Sequence, residues 1–463
     1  MKRLAFWLLL TVMTPTWCAT SPASPASWTA YFGTHYDAAD WGSSLRDPGG
    51  PGRFGYWLPS ARSSARMTVA DSGSLDELRR NIVRGEVVLN VGGLGSGRDT
   101  GLVTGFLDEV RRDSAATWKR ELGERVRRVA GLPDAKERIY WQFGNELNGP
   151  RFIENMAQWG GGGSRASRDE SMRQFIPLYV EYFLAPGVEA IRSASQSAYG
   201  DPGRIHVMLG SLASARNPNS IRWYEQLLEY TVKGDYAKSL AGRKVHEIVD
   251  TLSIHYLVSA PDEGWAEIMD SLSQKWVGRG SVRGIWSTEE LGVRRAQAGY
   301  GASTALRVTS RYLDWWIRHG WPAEQGHCFF WGAEMGKTGT RASDALNTLY
   351  EFTGPTPLAR LPGGETGDLE SYLFGVAGDR KRVLIAFPQE RWIGGGVTFN
   401  WASMPASGWS GVLKARLLHY TPDGVQSVSA TVAGNASGGY RISPQKPLVM
   451  RDGSTLLILI ERG

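Results

Sequence analysis

The pattern that decides the fold is clearest in the run RIYWQFGNE, residues 138–146. An apolar stretch of strand length ends there in a glycine and two polar side chains. Runs of this kind alternate with helical patterns from Trp28 to about residue 353, and this alternation is typical of βα units around a parallel sheet. The sequence therefore predicts an α/β fold, a (β/α)8 TIM barrel over residues 28–353, whose active site would lie where the strands end.

Eight strand candidates follow one another along this part of the chain. They cover residues 29–32, 54–58, 86–91, 138–143, 205–209, 249–254, 284–288 and 328–331. Helical patterns between and after them cover residues 102–130, 170–194, 219–231, 302–319 and 344–352. Eight such units in about 325 residues agree with a barrel of roughly 250 residues plus insertions.

The character of the sequence changes after residue 353, where helical periodicity stops. Strand-like runs at residues 383–387, 411–417 and 454–460 are separated by turn signals such as Pro422-Asp423-Gly424. Short strands with this spacing predict a C-terminal antiparallel β-sandwich over residues 354–463.

The first residues have the pattern of an export signal. Lys2 and Arg3 precede a largely apolar run at residues 4–13, which is too short to span a bilayer. We therefore predict a signal peptide over residues 1–20, with cleavage near residues 19–26, and a secreted or periplasmic protein. Cys18 leaves lipidation open, and no later segment is long and apolar enough to be a membrane span.

Composition and motifs disfavour several other classes of protein. The formal net charge of +6 falls to about +4 without the signal, and basic residues are scattered among acidic ones, so no nucleic-acid partner is expected. Cleavage would leave Cys328 as the single cysteine, in an apolar context that favours a buried structural thiol. No metal-ligand spacing or dinucleotide fingerprint is present, and we expect neither a metal nor a cofactor.

Two carboxylates end strands that would face each other across the barrel mouth. Glu146 follows the fourth predicted strand, and Glu289 follows the seventh. Cleavage of a glycosidic bond with retention needs two carboxyl groups about 5–5.5 Å apart, one protonated and one ionised. This pair therefore suggests sugar chemistry.

Four motifs resemble those of clan A glycoside hydrolases, in the order expected for that clan. The run WQFGNELN (residues 141–148) resembles the acid/base strand, and IWSTE (285–289) resembles the nucleophile strand. SIHY (253–256) resembles the strand-six motif that lines the cleft, and Phe330-Trp331 resembles the strand-eight sugar platform. A barrel followed by a sandwich is most similar to family 39 and its relatives.

The resemblance implies a role for each matching residue. Glu146 would be the acid/base, Glu289 the nucleophile, Asn145 the ligand of the hydroxyl next to the anomeric carbon, His255 or Tyr256 the hydrogen-bond partner of the nucleophile, and Trp331 the stacking platform. His35 ends the first predicted strand and is a further candidate for substrate binding. The implied function is an exported retaining glycoside hydrolase acting on a β-linked polysaccharide or oligosaccharide.

Some alternatives stay open at the level of the sequence. Glu290 follows Glu289 directly, and because adjacent strand residues point to opposite faces, only one of the two can enter the cleft; matching from Thr288 favours Glu289, and counting back from Gly292 favours Glu290. A non-catalytic carbohydrate-binding barrel and a polysaccharide lyase are the rival functions. The sequence does not specify the sugar, its linkage, endo or exo action, or the oligomeric state.

Overall fold

The fold was analysed in a computed structural model of the chain. It describes residues 26–36, 60–63, 78–79, 82–83, 85–91, 100–132, 135, 138–148, 168–213, 216–259, 264–290, 300–331, 342–378, 380–389, 395–405, 413–434 and 439–462. The predicted signal peptide and the glycine-rich segment at residues 159–164 lie outside these ranges.

Eight parallel strands close into a barrel in sequence order, with the first strand paired to the last. They are β1 (Phe32–Tyr36), β2 (Ser60–Ser63), β3 (Val87–Asn90), β4 (Ile139–Phe143), β5 (His206–Leu209), β6 (Thr251–His255), β7 (Gly284–Glu290) and β8 (Gly326–Trp331). The predicted (β/α)8 barrel is therefore confirmed.

The first two strands differ from the prediction. Residues 28–31 form a short 3-10 helix, and β1 begins only at Phe32. Trp28 is buried there, and its indole nitrogen donates to Thr353 Oγ1 at 3.0 Å and to the Gly354 carbonyl at 3.1 Å, which ties the start of the barrel to its last helix. The second strand is Ser60–Ser63, whereas the predicted run at residues 54–58 lies outside the described residues.

The helices lie between the strands and pack around the barrel. They are α1 (Thr100–Asp113), α2 (Ala116–Ala130), α3 (Arg168–Leu178), α4 (Ala185–Tyr199), α5 (Pro218–Glu229), α6 (Trp265–Leu272), α7 (Gly301–His319) and α8 (Ala342–Thr353). The pattern over residues 102–130 forms two helices rather than one, because Ser114 and Ala115 adopt left-handed φ angles of 56° and 62° that interrupt a helix. A π-helical turn, Tyr179–Leu184, joins α3 to α4. No helix among the described residues is long and apolar enough to cross a membrane.

Large side chains fill the inside of the barrel. Val88, Tyr140, Met208, Trp286 and Phe329 form one buried cluster, and the rings of Tyr140 and Trp286 are 4.2 Å apart. A barrel filled in this way has a packed core rather than a pore, so a substrate can bind only at an end.

The C-terminal strands form antiparallel sheets. They are β9 (Leu358–Arg360), β10 (Leu369–Val376), β11 (Lys381–Pro388), β12 (Val397–Phe399), β13 (Ala402–Met404), β14 (Leu413–Thr421), β15 (Gly424–Val428), β16 (Ala430–Gly434), β17 (Tyr440–Pro444), β18 (Leu448–Met450) and β19 (Thr455–Arg462). A six-stranded sheet has the order β15-β14-β19-β11-β10-β9, and smaller sheets pair β12 with β18 and order β13-β17-β16. Leu384 and Ile458 of the large sheet share a core with Phe399, Ile442 and Met450 of the small ones. The predicted β-sandwich is confirmed.

Helix α7 connects the barrel to the large sheet. Arg307 and Arg311 of this helix are buried, and both guanidinium groups lie over the ring of Phe387 in β11, at 5.0 and 5.4 Å. Arg311 also pairs with Glu370 of β10. The interface therefore carries buried charge as well as apolar packing.

Candidate active site

Glu146 lies on a tight turn at the end of β4. Gly144 has a φ of 91° and Glu146 has a φ of 50°, and a left-handed conformation costs a residue other than glycine about 1–3 kcal/mol. The loop after β5 holds the turn, since the backbone N–H of Glu146 donates to Ser211 Oγ at 2.7 Å and that of Leu147 donates to the Ser211 carbonyl at 2.8 Å. The result places the Glu146 side chain, 38% exposed, at the barrel mouth.

Asn145 is oriented by the same serine. Ser211 Oγ, which accepts from Glu146, donates in turn to Asn145 Oδ1 at 3.2 Å. Asn148, by contrast, is buried, with its side-chain amide bonded to both the N–H and the carbonyl of Ala213 at 2.8 Å. Asn145 thus accompanies the catalytic candidate, and Asn148 fixes the loop.

Glu289 projects from β7 beside Tyr256. The tyrosine hydroxyl donates to Glu289 Oε1, and the tyrosine backbone N–H donates to the Glu289 carbonyl at 3.2 Å. Tyr256 also has a left-handed φ, 51°. The Glu289 side chain is only 6% exposed. Glu289 is therefore shielded from solvent, whereas Glu146 is accessible to it.

The two carboxylates meet at His255. The histidine Nδ1 lies 3.3 Å from Glu146 Oε1 and 3.8 Å from Glu289 Oε2. One nitrogen or oxygen atom from each of the three side chains lies within 4.8 Å of the corresponding atoms of the other two. The residues predicted at the ends of β4, β6 and β7 are therefore brought together in one cleft.

A relay of hydroxyl groups orients the His255 ring. Its Nε2 lies 3.0 Å from Thr288 Oγ1, which lies 2.5 Å from Ser253 Oγ. An ionised carboxylate only accepts hydrogen bonds, so we assign a proton to Nδ1, which faces the two carboxyl groups. The imidazole N–H then points at the acidic pair.

Glu290 faces away from this cleft. Its Oε1 accepts from Ser287 Oγ at 2.9 Å, Tyr312 OH at 3.1 Å and the Leu257 N–H at 3.2 Å. It is fully buried, and burial raises the pKa of its carboxyl group above the ordinary value. The structure thus groups Glu289, and not Glu290, with Glu146.

His35 lies one residue before the end of β1, and Trp331 ends β8, the strand next to β1 in the barrel. Their backbones pair directly with each other, and both therefore lie at the same end of the barrel as Glu146 and Glu289. Their side chains are outside the described part of the chain, so their predicted contacts with sugar stay predictions.

Glu146, His255 and Glu289 also form a group whose donor atoms are close enough to bind a metal ion. These atoms already satisfy one another, since Nδ1 contacts the acidic pair and the Tyr256 hydroxyl engages Glu289. The arrangement has the hydrogen bonding of an acidic pair supported by an imidazole and a phenol.

Sequence reasoning missed Ser211 and Thr288 as supporting residues. Ser211 directly follows the fifth strand and Thr288 directly precedes the candidate nucleophile. A polar hydroxyl at a barrel strand's end was the available signal. Which residue such a hydroxyl contacts depends on the register between neighbouring strands, and this register shifts between Ile254 and His255.

Comparison with known proteins gives similarities of fold only. No family model matches the sequence, and no curated protein matches it. Among solved structures, the chain resembles a 4-O-α-L-rhamnosyl-β-D-glucuronidase from Fusarium oxysporum (12% identity, 96% of this chain and 98% of that chain, TM-score 0.41). It also resembles a tri-modular endo-β-1,4-glucanase from Bacillus halodurans (10% identity, 90% and 72%, TM-score 0.42). A third is an endo-β-1,4-mannanase from Cellulomonas fimi (12% identity, 95% and 95%, TM-score 0.35).

These neighbours are glycoside hydrolases by name, but likenesses at 10–12% identity and TM-scores of 0.35–0.42 carry no argument about activity. The assignment to family 39 stays a prediction.

Proposed function

We propose that this chain is a retaining glycoside hydrolase that cleaves β-linked oligosaccharides or polysaccharides, with Glu146 as acid/base and Glu289 as nucleophile. The observation that carries the proposal is that oxygens of these two carboxyl groups lie within 4.8 Å. Retaining enzymes hold their carboxyl groups about 5–5.5 Å apart, whereas inverting enzymes need about 6.5–9.5 Å to admit a water. The spacing therefore favours double displacement.

In the first step, the Glu289 carboxylate attacks the anomeric carbon and forms a glycosyl ester. The bond from that carbon to the leaving oxygen breaks, and the Glu146 carboxyl group gives its proton to that oxygen. Glu146 is the more exposed of the two side chains, which suits a group that meets both the leaving group and water.

In the second step, a water molecule replaces the leaving group. The Glu146 carboxylate takes one proton from that water as its oxygen attacks the anomeric carbon, and the ester bond to Glu289 breaks. The sugar leaves with its original configuration, and both carboxyl groups return to their starting protonation states.

The neighbouring residues support this cycle. The Tyr256 hydroxyl holds one oxygen of Glu289, so the other oxygen is directed to the sugar. The His255 N–H faces both carboxyl groups and stabilises whichever is ionised. We assign Asn145 to the hydroxyl next to the anomeric carbon, and His35 and Trp331 to sugar binding.

Isosteric replacement of each carboxylate tests the proposal. Glu289→Gln removes the nucleophile and is expected to abolish hydrolysis of a panel of β-glycosides and glycans. Glu146→Gln should lower turnover of natural glycans by roughly 10²–10⁴-fold but spare the first step on dinitrophenyl glycosides, whose leaving group needs no proton. Added azide should then react with the ester in the Glu146 variant and give a glycosyl azide of retained configuration.

The comparison variant is Glu290→Gln, one residue from the proposed nucleophile. It should keep turnover within about tenfold of the original, since an amide oxygen still accepts the hydrogen bonds that Oε1 receives. Normal turnover in Glu289→Gln would contradict the proposal. Binding without hydrolysis across the panel would indicate a carbohydrate-binding protein, and products that absorb as unsaturated uronates would indicate a lyase.

We also infer, from the sequence, that residues 1–20 direct export and are removed, that residues 28–353 form the catalytic domain, and that residues 354–463 form the sandwich domain. N-terminal sequencing of the protein collected outside the cytoplasm tests the first inference. A mature chain that begins near residues 19–26 is the expected result, and retention of Met1 would contradict it.

A further inference from the structure

The loop after β6 carries Tyr256 and holds it in a left-handed conformation. Its φ of 51° is unfavourable for an aromatic residue by about 1–3 kcal/mol and persists only where surrounding contacts impose it. The next two residues, Leu257 and Val258, are fully buried. Their backbone groups supply those contacts.

Leu257 is held through both of its backbone polar groups, the N–H and the carbonyl. Its N–H donates to Glu290 Oε1 at 3.2 Å. Its carbonyl accepts from Arg216 twice, from Nε at 3.0 Å and from Nη2 at 2.8 Å. A charged donor and a buried carboxyl group thus fix the residue that follows Tyr256.

Val258 is held from the C-terminal sheet through one arginine. Its carbonyl accepts from Arg311 Nη1 at 3.2 Å. The same guanidinium donates from Nε and Nη2 to the two oxygens of Glu370 in β10, at 2.8 and 2.7 Å. Tyr372 also donates to Glu370, at 2.6 Å. We call Glu290, Arg216, Arg311 and Glu370 the loop clamp.

The Arg311–Glu370 pair has the geometry that makes such a pair stiff. The Arg311 side chain is 0% exposed and that of Glu370 is 15% exposed, so water competes little for the charges. A bidentate arginine–carboxylate pair fixes direction as well as distance. Removal of one charge from a buried pair leaves the other uncompensated, and the Arg311 guanidinium would then lose the bidentate contact that fixes its direction toward the Val258 carbonyl.

We propose that Arg311 and Glu370 are positioning residues for the reaction, through which the C-terminal sheet sets the orientation of the Tyr256 hydroxyl against Glu289. This inference rests on the proposed function of Glu289. Neither residue touches the substrate; both act through Val258 and the loop. The sandwich domain thereby contributes to catalysis without entering the cleft.

The test is Glu370→Gln, which keeps the shape of the side chain and removes its charge. A small displacement of a catalytic group can lower turnover by as much as about 100-fold, and we expect kcat to fall roughly 10- to 100-fold with KM nearly unchanged. Glu370→Asp, which restores the charge, should recover part of the loss. The effect should be absent when Tyr256→Phe is already present, because the clamp then has no hydroxyl to position.

Asp314→Asn is the matched control for a general weakening of the interface. Asp314 also lies on α7 and pairs across the interface with Arg360 of β9, as well as with Arg318 on its own helix. It makes no contact with the β6 loop among the described hydrogen bonds. Asp314→Asn should lower the melting temperature about as much as Glu370→Gln and leave kcat unchanged.

Hydrogen exchange provides a readout that needs no turnover. The Leu257 N–H donates to Glu290, so we expect it to exchange slowly in the parent chain. Its exchange should accelerate in Glu370→Gln but not in Asp314→Asn. If the parent chain hydrolyses no glycoside, the proposed function fails while the exchange result still tests the clamp. An unchanged kcat with unchanged exchange, or a loss of kcat that adds fully to that of Tyr256→Phe, would overturn the inference.

Discussion

Two adjacent glutamates of β7 have opposite surroundings. Glu289 accepts a hydrogen bond from the Tyr256 hydroxyl. The His255 imidazole lies beside both Glu289 and Glu146. Glu290 points to the helical side and is enclosed by Tyr312 and neighbouring groups. At the scale of single residues, adjacent positions of β7, which shifts register between Ser287 and Glu290, thus place the candidate nucleophile and a buried carboxyl group on opposite faces.

The raised pKa of the Glu290 carboxyl group leads to a prediction about stability and pH. Burial raises this pKa above 4.5, so the folded chain binds the proton more tightly than the unfolded chain. Stability from this group is therefore fully present below about pH 4.5 and is lost as pH rises through the folded-state pKa. Glu290→Gln removes that loss.

Thermal unfolding across a pH series is the measurement for this variant. The melting temperature of Glu290→Gln, relative to the parent chain, should rise as the pH increases from about 4.5 toward neutrality. A constant difference across the series would show that Glu290 does not titrate as its burial requires.

Tyr256→Phe tests how the proposed nucleophile, Glu289, is held. The change removes the hydroxyl that donates to Glu289 Oε1; a hydrogen bond to a charged group contributes about 1.5–3 kcal/mol, and we expect kcat to fall about 10- to 100-fold. Steady-state kinetics checks this, with Tyr199→Phe as the control, because Tyr199 donates to a distant carbonyl, that of Ala130 at 2.8 Å. Equal kcat values for the two variants would rule out a role for the Tyr256 hydroxyl.

At the scale of elements, the site depends on how one strand's loop supports the next. The turn after β4 is held by Ser211, which follows β5, and Tyr256, which follows β6, binds Glu289 at the end of β7. Neighbouring strands of a parallel barrel end at the same level, so polar groups just beyond each strand can reach the adjacent turn.

Ser211→Ala should loosen the turn after β4, which the Ser211 hydroxyl holds. The Glu146 N–H loses its acceptor and Asn145 loses its donor, and an unsatisfied backbone group costs about 1–3 kcal/mol. We expect kcat to fall roughly tenfold, since the proposed acid/base, Glu146, is displaced. The control is Ser195→Ala, a buried serine on α4 that donates to the Asp201 carbonyl at 2.7 Å; a larger loss of kcat in the control than in Ser211→Ala would contradict the assignment.

The sequence predicts those elements whose burial is uniform. Strands β3 to β8 are recognisable because both faces of a parallel barrel strand are covered, which selects continuous apolar runs. Strand β2, Ser60–Ser63, carries no such run, and α6 was not predicted although it forms between β6 and β7. The break between α1 and α2 depends on two residues with left-handed φ angles, which neither Ser nor Ala signals.

For the site, the strand ends predict the acidic pair, but the sequence does not predict the residues that support this pair. Glu146 and Glu289 could be placed because each ends a strand that faces the mouth. The relay from His255 through Thr288 to Ser253 depends on the register shift near His255. The contact of Glu370 with Arg311 depends on the docking of two domains, for which periodicity contains no signal.

At the scale of the whole molecule, side chains fill the inside of a closed barrel, and the large C-terminal sheet packs against α7. His206 and His327 extend the aromatic filling of the barrel, since the His206 ring lies 4.7 Å from Tyr140 and the His327 ring lies 4.7 Å from Trp286. Both imidazoles are buried. The interior of the barrel thus contains two imidazoles that are not part of the candidate active site.

Burial lowers the pKa of His206 and of His327 below 6.5. The unfolded chain therefore binds more protons below about pH 6.5, and stability that is present above this value is lost as pH falls toward the folded-state pKa. Between neutral and mildly acidic pH, the melting temperature of the double variant His206→Gln/His327→Gln should fall less than that of the parent chain. Equal losses in the two proteins would contradict this prediction.

In the proposed reaction, Glu289 attacks the sugar while Glu146 faces it across a gap of a few ångströms. The most direct measurement is covalent trapping with activated β-glycosides in which fluorine replaces the hydroxyl next to the anomeric carbon, followed by peptide mapping. We expect one sugar per chain, esterified to Glu289, and no label in Glu289→Gln. A label on Glu290 or Glu146, or hydrolysis of the parent substrates with inverted configuration, would contradict it.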